Sequence, residues 1–216
     1  MKHVWKIAAL LLVCVLLAGC TTTELTSGTT KHPLSNGEEE VEWPKVNIDT
    51  AKTYYADIDI KDHGTITVKL EPAHAPVTVD NFINLAQGGF YDGLTFHRIM
   101  EDFMMQGGDP EGNGTGGSDK EIVGEFTSNG WNNTLNHTRG AISMARSSAP
   151  NSASSQFFIV HKTSDHLDGD YAVFGYVTEG MDIVDTICEE AEPIDWNGTI
   201  AAADQPVINS IKIRIE

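Results

Sequence analysis

FHRIMEDFMMQGGD, residues 96–109, holds two short runs that each mix apolar and polar residues within four or five positions. Neither run is long enough, nor spaced at 3.6 residues, to make a helix, so TFHRI (95–99) and FMMQG (103–107) read as strands. Met104 and Gln106 stand two apart and therefore share one face of their strand. The same reading extends in both directions. Upstream, TYYADIDI (53–60) and TITVKL (65–70) flank Asp62-His63-Gly64 and form a hairpin. Downstream come AISMA (141–145), QFFIV (156–160), AVFGYV (172–177) and VINSIKIRI (207–215), separated by glycine-rich loop. Two stretches are helical. APVTVDNFINLAQGG (75–89) has a proline at its start, Val79, Phe82, Ile83 and Ala86 on one face, and a glycine stop. In MDIVDTIC (181–188), Ile183, Val184, Ile187 and Cys188 share a face. Many short strands with two helices imply a mainly β, closed antiparallel barrel.

The amino-terminal residues have a different character. Lys2 and Lys6 precede a wholly apolar run over 7–18, too short to span a bilayer, which needs about 20 residues. Leu17-Ala18-Gly19-Cys20 resembles the bacterial lipobox. Residues 1–19 are thus expected to be a lipoprotein signal peptide, with Cys20 lipidated after cleavage. Two acyl chains suffice for stable anchoring where one is marginal. Residues 20–45 are rich in Thr, Ser, Gly and Glu without apolar periodicity, and read as a flexible acidic tether. The expected location is the extracytoplasmic face of a bacterial membrane, with a folded domain over 46–216. Cys14 leaves with the signal and Cys20 carries lipid, so Cys188 stands alone as a buried structural thiol, and no internal disulfide is possible.

The 216 residues carry 14 Lys and Arg against 31 Asp and Glu, a net charge of −17. Such an excess argues against a nucleic-acid surface, which depends on clustered cations. The acidity belongs to the domain: residues 46–216 hold 26 acidic and 10 basic residues, a balance of −16.

FHRI-MED-FMMQGGD (96–109), NGTGG (113–117), SMA (143–145), SQFFI (155–159), LDG (167–169) and VFG (173–175) together resemble the cyclophilins, the peptidyl-prolyl cis/trans isomerases. The resemblance runs in order from about Tyr54 to Ile215. It implies an eight-stranded antiparallel barrel capped by two α-helices, with an active groove on its outer surface. The alternative is a proline-peptide-binding module or chaperone that keeps the groove without catalysis.

An X-Pro bond turns over a barrier of ~18–20 kcal/mol because twisting breaks amide resonance. No covalent bond breaks, so the chemistry calls for no nucleophile, metal or cofactor. The site must bind the twisted amide better than either planar form. Twisting returns the lone pair to the prolyl nitrogen, and a fixed cationic donor can then stabilise it. Arg98 is the expected catalytic donor, since its guanidinium stays charged and its fork also reaches a carbonyl. By resemblance, Phe103, Met104, Phe158 and Leu167 form the proline slot, although spacing alone would assign them to ordinary core. Gln106 is implied as a donor to the substrate backbone, Ala145 and Arg146 as backbone partners, and Gln156 as part of the groove wall.

Three positions depart from the family. His166 stands where some members carry Trp beside LDG, which argues against tight cyclosporin-type inhibition. Tyr171 replaces a His, offering another ring with a polar end. Arg146 replaces a frequent Asn after SMA, in a loop one residue longer that borders the residues preceding proline. With Arg98 and Arg146 in the groove of an acidic body, basic client segments are expected to be favoured at its rim.

Other constellations carry less. Asp109-x-Glu111-x-Asn113-Gly114 copies half of a calcium loop, but its twelfth position is Lys120 and no flanking helices are expected. His161 and His166 lack metal-ligand spacing. The expected partners are unfolded or partly folded proline-containing polypeptides, met by a monomer.

Overall fold

The computed structural model describes residues 30–32 and 41–216. The signal sequence, Cys14 and the Cys20 lipidation position lie outside the described residues. Two short strands, β1 (Thr30–His32) and β2 (Val41–Trp43), pair antiparallel within the stretch read as a tether. Sequence reading placed no strand there. The alternation of Val41-Glu42-Trp43 is its only strand signal, and three residues are too few to rise above the polar background.

Eight further strands form one antiparallel sheet: β3 (Tyr54–Ile60), β4 (Gly64–Leu70), β5 (Thr95–Met100), β6 (Met104–Asp109), β7 (Ala141–Met144), β8 (Phe157–Val160), β9 (Val173–Glu179) and β10 (Ile208–Ile215). They run in the order β10-β3-β4-β9-β7-β8-β6-β5. The two end strands meet through a bridge between Thr95 and Val207, with Ile208 N–H donating to Leu94 O at 2.8 Å. The sheet thus curls into a barrel whose seam is a short bridge rather than a full ladder.

Alternation along the strands builds two apolar clusters. Ala56, Ile58 and Ile60 of β3, Ile66, Val68 and Leu70 of β4, Met105 of β6, and Phe157 and Ile159 of β8 enter the main core. Helix α1 (Pro76–Gln87) adds Val79, Phe82, Ile83 and Ala86 to it. The Phe82 ring lies 5.6 Å from Phe157 edge-on and 5.2 Å from Phe174. Helix α2 (Met181–Glu190) contributes Val184, Ile187 and Cys188. Cys188 is a free thiol, 1% exposed, and burial pushes its pKa up to about 12, so it is an inert part of the packing. Among the described residues no helix is long and apolar enough to cross a membrane.

The second cluster lies on the other face of the same strands. Met104, Ala141, Phe158, Val160 and Val173 pack there with Phe103, Ala145, Leu167 and Tyr171 against them. Two adjacent glycines let the strands beneath it approach closely. A Cβ on Gly107 would stand 2.7 Å from Thr95 O and 2.9 Å from the Phe96 ring. Gly108 has φ +81° and would meet Ser155 O at 2.7 Å. Neither position admits a side chain without moving backbone.

Candidate active site

Strand register carries the site. Arg98 of β5 pairs with Gln106 of β6, Gln106 with Phe158 of β8, and Phe158 with Ser143 of β7. One row of side chains therefore crosses four strands on the outer face. Over it lies a cleft of about 390 Å³, lined by Arg98, Phe103, Met104, Gln106, Ala145, Arg146, Phe158, Leu167 and Tyr171 among others. Nine of the eleven groove positions named from sequence thus come together. Gln156 lines a second cleft of about 370 Å³ that shares Gln106, Ala145 and Arg146 with the first. His166 lines neither described cleft. Its exposed ring lies 5.6 Å from that of Phe103, tilted against it.

Arg98 is held by neutral acceptors. Its Nε donates to Asn197 O at 2.7 Å, one Nη to Gln106 Oε1 at 3.3 Å, and the other to Met100 Sδ at 3.4 Å. Its guanidinium carbon lies 5.8 Å from the Phe103 ring centre. Burial lowers the Arg98 pKa, with Tyr171 and Asp195 opposing, yet a guanidinium remains charged at any physiological pH. Each terminal nitrogen keeps one further hydrogen for a group in the cleft.

Gln106 is fixed at both ends of its amide. Besides accepting from Arg98, it donates from Nε2 to Gln156 Oε1 at 2.9 Å. Gln156 Nε2 in turn donates to Gly116 O at 2.7 Å. The relay sets the Gln106 amide with one N–H still free for a peptide carbonyl. At Ala145 the expectation of a backbone partner needs narrowing. Its N–H already donates to Gln156 O at 2.9 Å, so only its carbonyl is left for a peptide.

Sequence reading missed what lies behind the slot. His137 is fully buried and stacks on Phe158 at 5.9 Å with ring planes 12° apart. Its Nδ1 is 2.8 Å from Asp168 Oδ1 and its Nε2 is 3.0 Å from Ser143 Oγ. A carboxylate only accepts, so Nδ1 carries the proton and Ser143 donates to Nε2. Burial lowers the His137 pKa, against the opposing pull of Asp168, and the ring is neutral at neutral pH. The Asp-His-Ser order imitates a hydrolytic triad, but Ser143 is 0% exposed and no substrate carbonyl reaches it. The set instead fixes the Phe158 wall. Asp168 also accepts the His137 backbone N–H at 2.7 Å. Asp168→Ala is therefore expected to cost about 1–3 kcal/mol through unpaired N–H groups. Thermal melting should show this loss, and Asp168→Asn, which keeps an acceptor oxygen, should restore most of it.

Asn197 and Thr199 also line the first cleft and come from a tight turn. Asp195 Oδ1 accepts the N–H groups of Asn197 and Thr199 at 2.9 and 3.0 Å. The Asp-Trp-Asn-Gly run at 195–198 signals that turn in the sequence, although nothing there ties it to Arg98. His97 is 3% exposed, faces the first cleft, and has no partner on either ring nitrogen among the described residues. The half calcium loop has a structural use: the Asp109 carboxylate accepts the N–H groups of Glu111, Asn113 and Gly114 at 2.9, 3.1 and 2.6 Å. His161 is satisfied, its Nδ1 accepting the Asp102 N–H at 3.0 Å.

Known proteins share both sequence and fold with this chain. Residues 55–214 match the model of the cyclophilin type peptidyl-prolyl cis-trans isomerases. Peptidyl-prolyl cis-trans isomerase B of Bacillus subtilis is 46% identical over 123 residues, covering 57% of this chain and 82% of the relative. A Helicobacter pylori peptidyl-prolyl cis-trans isomerase is 43% identical over 139 residues, covering 63% and 82%. A Cryptosporidium parvum cyclophilin type isomerase, crystallised in the presence of the dipeptide Ala-Pro, superposes with a TM-score of 0.65 at 29% identity, covering 74% of this chain and 98% of that one. With a curled eight-stranded sheet, two helices and a groove on the outer face, the chain belongs to the cyclophilin-type peptidyl-prolyl cis-trans isomerase family.

Proposed function

We propose that this protein isomerises X-Pro bonds in extracytoplasmic polypeptides while tethered to a membrane by lipid on Cys20. The observation that carries the catalytic part is the fixed row Arg98–Gln106–Phe158, with its guanidinium over an apolar slot. Phe103, Met104, Phe158 and Leu167 receive the proline ring, and Gln106 takes a peptide carbonyl. As the bond twists, the prolyl nitrogen becomes an acceptor and an Arg98 N–H donates to it. That hydrogen bond exists chiefly in the transition state, so it lowers the barrier rather than only strengthening binding. Uncatalysed exchange takes tens to hundreds of seconds and can limit folding. An isomerase at the outer surface of the membrane would speed folding of chains that emerge there unfolded.

Proline-limited refolding of a model protein tests the activity. A chain beginning at Thr21 is expected to accelerate the slow phase, whereas suppression of aggregation with no acceleration would favour a non-catalytic chaperone. The anchor is tested separately. In bacterial cells Cys20→Ala is expected to move the protein from the membrane fraction to the soluble fraction and to abolish palmitate incorporation. Unaltered fractionation would refute the lipid anchor without touching the isomerase reading.

A further inference from the structure

The four arginines of the described chain divide by their partners. Arg139 pairs with Asp185 at 2.7 Å and Arg214 with Asp57 at 2.7 Å. Arg98 and Arg146, the two in the groove, form no ion pair among the described residues. In a domain with 26 acidic residues, two such cations lining one cleft give a ligand cationic surroundings. Asp195 acts on Arg98 only through space.

Arg146 is immobilised without being neutralised. Its guanidinium carbon lies 4.6 Å from the centre of the Tyr171 ring and 4.9 Å from that of Phe126. Nε and one Nη donate to the backbone oxygen of Asp170 at 3.0 and 2.8 Å, and the other Nη to Ser147 O at 2.9 Å. Every one of these acceptors is a carbonyl dipole. The charge is thus held in place with its full sign, at the boundary that the two clefts share. Among the described residues no carboxylate lines the first cleft, and Glu121 is the one carboxylate lining the second.

We propose that Arg146 makes the groove select X-Pro segments carrying Asp or Glu in the two positions before the proline. The inference rests on the isomerase reading of this groove and adds a substrate class to it. It also bounds the expectation drawn from net charge. The acidic body favours basic segments over long distances, but at about 0.15 M salt its field decays within ~8 Å, leaving contacts inside the groove to decide. A fixed charge at a half-buried wall is worth about a three- to tenfold preference.

The test uses three peptides that differ only before the proline, with Glu, Gln or Lys there, at about 0.15 M salt. Both exchange kcat/KM and equilibrium binding are measured. The wild type should favour Glu over Gln by about three- to tenfold and disfavour Lys. Within each variant the readout is the Glu-to-Gln ratio, so general damage from disturbing the stacked guanidinium cancels. In Arg146→Gln the ratio should fall to about one, and in Arg146→Lys, which keeps the charge without the stacked fork that fixes it, the ratio should fall between the two. A wild-type ratio of one, or a ratio unchanged in Arg146→Gln, overturns the proposal. Preferential binding of the Glu peptide with no exchange of any peptide would overturn the isomerase reading instead and leave the charge selection standing.

Discussion

Arg98→Ala is expected to lower kcat/KM for X-Pro exchange by about ten- to a hundredfold while leaving the melting temperature nearly unaltered. The size follows from one hydrogen bond to a charged donor, worth about 1.5–3 kcal/mol, with each 1.36 kcal/mol giving tenfold in rate. The stability term is small because Arg98 is only half-buried and bonds to a loop carbonyl and a flexible amide. Arg98→Lys separates charge from geometry. A lysine keeps the cation but gathers its donors on one nitrogen, without the planar fork that reaches Asn197 O and Gln106 Oε1 from separate nitrogens, so it should recover little activity. Full activity in Arg98→Ala would remove this guanidinium from the mechanism.

The largest expected effect on stability lies at Glu125, which lines neither cleft. Its carboxylate is 0% exposed and accepts the N–H groups of Val77 and Thr78, at 2.9 and 2.7 Å, in the first turn of α1. Helix N-termini leave such groups unpaired unless something outside the helix takes them, and here a loop 47 residues away in sequence supplies the acceptor. Glu125→Ala strands two buried donors and is expected to cost about 3 kcal/mol. At 2–4 °C per kcal/mol for a domain of this size, melting should fall by roughly 6–12 °C. The pH dependence has a definite sign. Burial pushes the Glu125 pKa up to about 7 from its ordinary 4.5, against the pull of the N–H bonds. The folded state then holds the proton more tightly than the unfolded chain. Stability from this group is fully present below about pH 4.5 and is lost as pH rises through about 7. Melting followed from pH 5 to 8 should show that decline in the wild type and a flatter profile in Glu125→Ala. Equal slopes in the two would refute the assignment.

The barrel was legible because its strands are bounded by turn residues and its helices by a proline and glycines. All eight strands and both helices read from sequence appear in the structure. Which face of a strand carries the site was not legible from periodicity. Phe103, Met104, Phe158 and Leu167 look like core because they are apolar, and Met104 and Phe158 are indeed 1% and 5% exposed. Only the resemblance assigned them to a groove. His137 and Asp168 stayed hidden since their link is 31 residues long and depends on how a loop folds back behind β8. The Asn197 carbonyl that orients Arg98 lies 99 residues from it, and a backbone oxygen has no sequence signature at all.

The two apolar clusters on opposite faces of one sheet have an evolutionary consequence. Met104-Met105 and Phe157-Phe158 are doublets of identical residues whose members face opposite ways. Met105 and Phe157 are expected to be constrained by folding alone, whereas on the proposed function Met104 and Phe158 are constrained by the client as well. A saturation scan across these doublets should separate into two phenotypes at neighbouring codons, abundance loss at one and altered turnover at the next. On the proposed function, substitutions at alternate residues would then alter client choice while the main core on the other face keeps its packing.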